Sequence, residues 1–196
     1  IFQDYDISFL VTDLPSFQKS DDWLDVFGDR VILQKPEAMD FFPPELGNWF
    51  SYLMIFKDGN KMDLTLIPIE ELKGYLDSEG LLQILLDKDN RIPIRPVPTD
   101  QEFWIQKPTK SYVWDCCNEF WFTSTYVAKG LYRNELLSAS FHMEQIVRVQ
   151  LFHMLSWMIG FQRGFDFSLG KHWKYIQPYL TEQQWELLMR TYSMDS

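Results

Sequence analysis

The chain has little with which to build a disulfide or zinc framework. It holds two cysteines, Cys116 and Cys117, and three histidines, His142, His153 and His172. Adjacent helical residues point in different directions, so a disulfide between the two thiols is not expected. A reduced, cytoplasmic setting is. Three histidines without cysteine partners do not make a zinc site. Basic charge is also short: 18 Lys and Arg stand against 28 Asp and Glu in 196 residues, a net charge of −10. That excludes a broad nucleic-acid surface, which needs a basic face to displace phosphate counterions. No apolar run approaches the roughly 20 residues of a membrane helix. The opening Ile1-Phe2-Gln3-Asp4 lacks the basic start of a secretory signal. Walker A, Gly-x-Gly-x-x-Gly and Gly-x-Ser-x-Gly patterns are absent, as are internal repeats and low-complexity tracts.

What is present is apolar and unevenly charged. Hydrophobic residues make up 46% and aromatics 17%, enough for a packed core and too much for disorder. Residues 1–104 hold 20 acids and 9 bases, whereas residues 105–196 hold 8 acids and 9 bases. The division predicts two regions with different tasks, with a boundary near residues 96–108. The absence of an initiator Met, and strand-like sequence from the outset, suggest a piece of a longer protein.

Tyr5 to Val11 alternates as a strand, with Tyr5, Ile7, Phe9 and Val11 on one face and Asp4, Asp6, Ser8 and Leu10 on the other. Ser20-Asp21-Asp22 offers caps for a helix that Gly28 would stop. Arg30 to Leu33 is a short strand. Phe50 to Phe56 and Lys61 to Ile67 flank Lys57-Asp58-Gly59-Asn60, a strong hairpin signal because glycine tolerates the positive φ of the turn. Short helices are expected over Ile69–Tyr75 and Glu79–Leu86, then a proline-bearing loop over Asp87–Pro98. No proline occurs from Ser111 until Pro178, and the pattern becomes helical. Val113, Cys117, Phe120, Ser124, Val127 and Leu131 recur at spacings of 4 and 3. Met143–Gln162 reads as a second long helix. Thr181-Glu182-Gln183-Gln184 fits a capping box opening a last one.

Two constellations could carry chemistry. Asp4 and Asp6, at i and i+2 on a strand, face one way roughly 7 Å apart. Asp63 alternates with apolar neighbours on the hairpin's return strand. A lone Asp-x-Asp is ordinarily a solvated strand end. Three strand-borne carboxylates in one acidic sheet are what a Mg²⁺-dependent phosphoryl-transfer site needs. The second is a helical stripe, Asp115, Glu119, Phe122, Tyr126, Lys129 and Arg133, offset from the apolar one. Its charge order suits the helix dipole of an exposed face. It also suits a cleft whose bases meet phosphates and whose acids and aromatics meet a cation. His142 and His153 read as core or boundary residues, and Glu45 with Trp49 as a lid or packing corner.

Several ungapped blocks carry a family resemblance. They are Phe2-Gln3-Asp4-Tyr5-Asp6-Ile7-Ser8-Phe9, Ile32-Leu33-Gln34-Lys35-Pro36-Glu37, Phe42-Pro43-Pro44-Glu45-Leu46-Gly47-Asn48-Trp49-Phe50-Ser51-Tyr52, Asp58-Gly59-Asn60-Lys61-Met62-Asp63-Leu64-Thr65-Leu66-Ile67-Pro68, Leu86-Asp87-Lys88-Asp89 and Cys116-Cys117-Asn118-Glu119-Phe120-Trp121. Together, and over nearly the whole chain, they resemble the aminoglycoside 6-adenylyltransferases of the nucleotidyltransferase superfamily. The resemblance implies an α+β protein: a mixed-sheet nucleotidyltransferase domain (1–104), then a helical bundle domain (105–196), with the active site between them. It implies transfer of AMP from ATP to a streptomycin hydroxyl, with Mg²⁺ held at Asp4, Asp6 and Asp63. The family's Lys-Gly-Leu-x-Arg-Asn-Glu is matched by Lys129-Gly130-Leu131-Tyr132-Arg133-Asn134-Glu135, and the charge of Lys129 and Arg133 suggests contact with the triphosphate. Asp115, Glu119 and Tyr126 would meet the antibiotic, and Asp63 or Glu119 would accept the hydroxyl proton. The superfamily's phosphate-holding Gly-Ser turn belongs upstream of Asp4, and the family continues past Ser196, so the sequence is expected to be the central part of a longer enzyme. The partners implied are ATP and a small-molecule aminoglycoside, with neither nucleic acid nor membrane. Other readings are a nucleotidyltransferase with another acceptor, or a non-catalytic ligand-binding module.

Overall fold

The computed structural model describes residues 3–192 of the chain. Contacts divide it into two compact units, Ile1–Leu82 and Gln83–Ser196. The organisation is α+β, with a mixed sheet in the first unit and helices in the second.

The first unit is built on four strands: β1 (Asp4–Val11), β2 (Arg30–Gln34), β3 (Phe50–Phe56) and β4 (Lys61–Pro68). Their order is β1-β4-β3-β2. The hairpin is the expected one: Gly59 adopts φ 85°, its N–H donates to the Phe56 carbonyl, and the Asp58 carboxylate accepts from the Asn60 N–H. β3 and β4 therefore run antiparallel, as do β2 and β3. β1 joins the other edge of β4 in parallel, a pairing made possible by the long crossover between them.

Alternation gives this sheet an apolar face and a more polar one, where Asp4, Asp6, Lys61 and Asp63 stand beside Leu53, Ile55 and the fully buried Ile67. Tyr52, Met54, Leu64 and Leu66 are fully buried against Leu24. Phe17, which ends the short helix α1 (Leu14–Phe17), closes over them with Trp23, Phe27 and Phe50 through edge-on ring contacts. Each such buried side chain contributes about 1.5–3 kcal/mol. Tyr52 Oη and Trp23 Nε1 both donate to the Phe17 carbonyl, so no polar atom of these two rings is stranded. Leu24 lies on a 3₁₀ helix (Asp22–Phe27), where a helix was expected, and Gly28 stops it at φ 123°. A 3₁₀ turn (Ile69–Glu71) and α2 (Leu72–Ser78) follow β4. Trp49 forms a packing corner there: its indole stacks edge-on with Tyr75 and donates to Glu71.

The helix expected over Glu79–Leu86 does not form. Glu79 is extended, Gly80 lies in a turn, and Leu81, Leu85 and Leu86 remain exposed. Without a surface to bury them, propensity alone does not hold so short a helix. Asp87 organises the loop instead, accepting from the N–H groups of Arg91 and Ile92. Those backbone donors hold its carboxyl below the usual carboxylate range.

In the second unit, α3 (Lys110–Tyr132) is capped by Thr109, whose side chain accepts from the Tyr112 N–H. α4 (Leu136–His142), a π-helical turn (Met143–Val147) and α5 (Arg148–Arg163) run on from one another and return antiparallel to α3. Gly130 faces Ala139 at one end of the hairpin, and Cys116 Sγ donates to the Gln150 carbonyl at the other. The buried line of α3 is Cys116, Thr123 and Gly130, with half-buried Val113, Phe120 and Val127 alongside. It is centred one residue from the expected stripe, because small residues rather than large ones mark the closest helix approach.

The Lys129–Glu135 motif is a helix stop. Glu135 N–H donates to the Gly130 carbonyl, Asn134 N–H donates to that of Leu131, and Asn134 takes φ 59°. This pattern is a Schellman motif with asparagine at the left-handed position. The last helix, α6 (Glu182–Arg190), opens with the expected capping box between Thr181 and Gln184. Arg148, buried where α5 begins, ties α6 down. It makes two bonds to Glu144, donates to the Thr191 carbonyl and hydroxyl, and stacks 3.7 Å over the Tyr192 ring. Among the described residues no helix is long and apolar enough to cross a membrane.

Candidate functional site

The polar face of the first unit gathers the three strand aspartates. In the β1–β4 register Asp6 is directly opposite Asp63, and Asp4 is opposite Lys61. Laterally paired residues of a sheet share a face, so Asp4, Asp6, Lys61 and Asp63 project together. Asp4 and Asp6 are exposed, whereas Asp63 is largely covered, with 26% of its side chain accessible. Lys61 Nζ lies 2.6 Å from Asp63 Oδ2. The other oxygen, Oδ1, is buried without a hydrogen-bond partner. The hydrogen bond to Asp63 pushes the Lys61 pKa up; burial opposes that shift, and the charges of Asp63, Asp4 and Asp6 reinforce it.

The donors suit a hard divalent cation, since all are carboxylate oxygens and one is orphaned and buried. They are not drawn into a cage: among the described residues no three His, Cys, Asp or Glu side chains converge at metal-holding distance. A lysine stands among them instead. Glu37, on the 3₁₀ turn after β2 (Pro36–Ala38), accepts from both the N–H and the hydroxyl of Ser51 and so is engaged structurally.

The second unit has its own cleft, of about 510 Å³, between α3 and α5. Tyr112, Asp115 and Glu119 face it from α3, and Gln150, His153 and Trp157 from α5. Each trio follows helical spacing, 3 and 4 residues, so each is one stripe. Thr123 donates to Glu119 Oε1 at 2.8 Å, which orients that carboxylate. His153 stacks on Trp157 with ring centroids 5.9 Å apart and meets Trp173 edge-on. The resulting desolvation lowers its pKa, although the residue keeps a solvent-exposed edge. Two carboxylates one turn apart beside aromatic rings can take a cationic ligand through charge-assisted hydrogen bonds and cation–π contact.

The remaining residues singled out in the sequence lie elsewhere on α3. Tyr126 is outside the cleft lining; its ring packs against His142 and carries the Lys129 ammonium at 4.7 Å. Arg133 caps the helix C-terminus and is exposed. His142 is half-buried, its Nδ1 2.7 Å from the Ser138 carbonyl oxygen. Sequence reasoning missed Gln150, His153 and Trp157 as one wall, although their spacing is visible within the apolar run.

A family model described as streptomycin adenylyltransferase matches residues 1–196. An aminoglycoside 6-adenylyltransferase of Bacillus subtilis (strain 168) is 54% identical over 195 residues, covering 99% of this chain and 69% of the relative. One from Campylobacter jejuni is 55% identical, covering 100% and 67%. A crystal structure of an aminoglycoside 6-adenyltransferase from Bacillus subtilis aligns at 52% identity with a TM-score of 0.45, covering 98% of this chain and 71% of that one.

Proposed function

This chain belongs to the streptomycin adenylyltransferase family, and we propose on that basis that it transfers AMP from ATP to a hydroxyl of an aminoglycoside, with streptomycin as acceptor and Mg²⁺ as cofactor. The observation that carries the reading is the lateral pairing of Asp6 with Asp63, with Asp4 on the same face and Asp63 Oδ1 left without a partner. Asp4, Asp6 and Asp63 would hold the metal. When bound, Mg²⁺ supplies charge neutralisation to the triphosphate and polarises the oxygens about the α-phosphorus.

The acceptor hydroxyl attacks the α-phosphorus; the new O–P bond forms as the bond to the bridging α–β oxygen breaks, and pyrophosphate leaves. The hydroxyl proton passes to a carboxylate, for which Asp63 and Glu119 are the candidates. The cleft of Asp115 and Glu119, walled by Tyr112, His153 and Trp157, suits a polycationic antibiotic. Tyr126 would extend that surface along the same helix. Lys129 and Arg133 are assigned to the triphosphate on their charge, which has to outweigh the electronegative carbonyl end of α3 where they sit.

The test is adenylation of streptomycin, and of a panel of other aminoglycosides, by the full-length protein. Asp4→Asn and Asp6→Asn are expected to abolish turnover; near wild-type rates in either variant would overturn the metal assignment. Glu119→Gln is expected to raise the KM for the antibiotic by about ten- to a hundredfold, the worth of one charge-assisted hydrogen bond. An unchanged KM removes the cleft from the acceptor site.

A further inference from the structure

We propose that Lys61 is a tethered counter-cation that occupies the carboxylate face before the divalent ion arrives and opposes its binding, so setting the metal concentration the protein requires. The inference rests on the reading of Asp4, Asp6 and Asp63 as metal ligands. It comes from four observations. Lys61 is the lateral partner of Asp4 and lies two residues before Asp63, on the same face as all three carboxylates. Its ammonium is 2.6 Å from Asp63 Oδ2 and feels the charge of Asp4 and Asp6 as well. No other ion pair among the described residues engages any of the three aspartates. The neighbouring lysine in sequence, Lys57, is committed to Asp29 at 2.9 Å.

The physical consequence is a competition. Three carboxylates on adjacent strands repel one another, and a single ammonium offsets part of that repulsion in the metal-free protein. A divalent ion entering the same face meets that ammonium within a few ångströms. Either Lys61 gives up Asp63 Oδ2, or the two cations share one carboxylate while Oδ1 takes the metal. Both routes cost binding free energy. For charges of +1 and +2 about 5 Å apart in a solvent-like dielectric, removing the ammonium is worth on the order of tenfold in metal affinity. A residue with a merely structural role would move affinity the other way, because its loss would loosen Asp63.

The experiment is Mn²⁺ titration of the full chain, followed by calorimetry and by the fraction of free Mn²⁺ seen in electron paramagnetic resonance. It compares the wild type with Lys61→Met, Lys61→Arg, Asp4→Asn and Asp63→Asn. Circular dichroism checks that each variant is folded, and Lys61→Gln is a second neutral replacement should Lys61→Met not fold. The expected result is roughly tenfold tighter Mn²⁺ binding without the ammonium, near wild-type affinity for Lys61→Arg, and loss of binding in both aspartate variants. In chelator, Lys61→Met should melt below the wild type and regain more on adding Mg²⁺. If the aspartate variants lose Mn²⁺ while the neutral Lys61 variants bind it equally or more weakly than the wild type, the counter-cation role is wrong and the metal assignment stands. If the aspartate variants keep wild-type binding, both fall.

Discussion

Replacing Gly130 by alanine tests whether close helix approach, rather than apolar burial, fixes the α3–α4 turn. A Cβ built at Gly130 would lie 3.0 Å from Ala139 Cβ and 3.2 Å from both the Ala139 Cα and N. Ordinary contact is several tenths of an ångström longer, and two of the three opposing atoms are backbone, which cannot turn aside as a side chain can. The helices must therefore separate, and overpacking of this kind costs about 1–3 kcal/mol. Alanine returns up to about 1 kcal/mol through its better helix propensity. The net expectation is a loss of roughly 1–2 kcal/mol, read from urea unfolding followed by ellipticity at 222 nm, where the helical unit dominates. Exchange of the Asn134 and Glu135 amides should quicken, since both close the Schellman motif on this turn. The cleft proposed for the acceptor is 11 residues back along α3 from Gly130 at Glu119, about 16 Å at 1.5 Å per residue, so on that proposal the KM for the antibiotic should hardly change. A Gly130→Ala protein as stable as the wild type, or more so, would refute the reasoning.

Arg148→Ala should destabilise the helical unit by about 2–4 kcal/mol: it strands the Thr191 carbonyl and empties the space an arginine filled, but leaves Glu144 43% accessible and able to turn to water. Thermal unfolding measures it, and Arg148→Lys should recover only part because lysine has no planar fork. For His153 the folded pKa is lowered below the ordinary 6.5 by desolvation. The neutral imidazole is thus the form that folding favours; its contribution is complete above pH 6.5 and is lost as the pH falls through 6.5 towards the lowered value. Stability plotted against pH should therefore decline more steeply over that window in the wild type than in His153→Gln, and parallel curves would dismiss the effect.

Local chemistry was legible in the sequence where one residue type has one use. Asp58-Gly59 announced the hairpin because the turn needs a positive φ, and Thr181 with Gln184 announced α6 because two side chains satisfy two backbone donors reciprocally. The alternation of β1 correctly separated Asp4 and Asp6 from the apolar face. Features decided by distant partners were not legible. Nothing local says that β1 adds to β4 in parallel, and so nothing local puts Asp6 opposite Asp63 or Lys61 opposite Asp4. The leucines of Glu79–Leu86 carry a helical pattern but find no surface to cover. The α3 stripe was displaced by one residue because hydrophobicity scales reward Leu131 over Gly130, whereas the fold uses the absence of a side chain at Gly130. The wall of Gln150, His153 and Trp157 was hidden inside a helix that reads as apolar nearly all round.

The parallel addition of β1 also orders events in time. β3 and β4 are joined by a four-residue turn and can pair as soon as both exist, whereas Asp6 and Asp63 stand 57 positions apart. Closing so long a loop is the slower entropic step. The carboxylate face therefore does not exist until β1 docks, and docking sets like charges side by side. Salt and divalent ions should accelerate this last stage of folding more than the formation of the hairpin, so that the sheet and its carboxylate face are completed in one event.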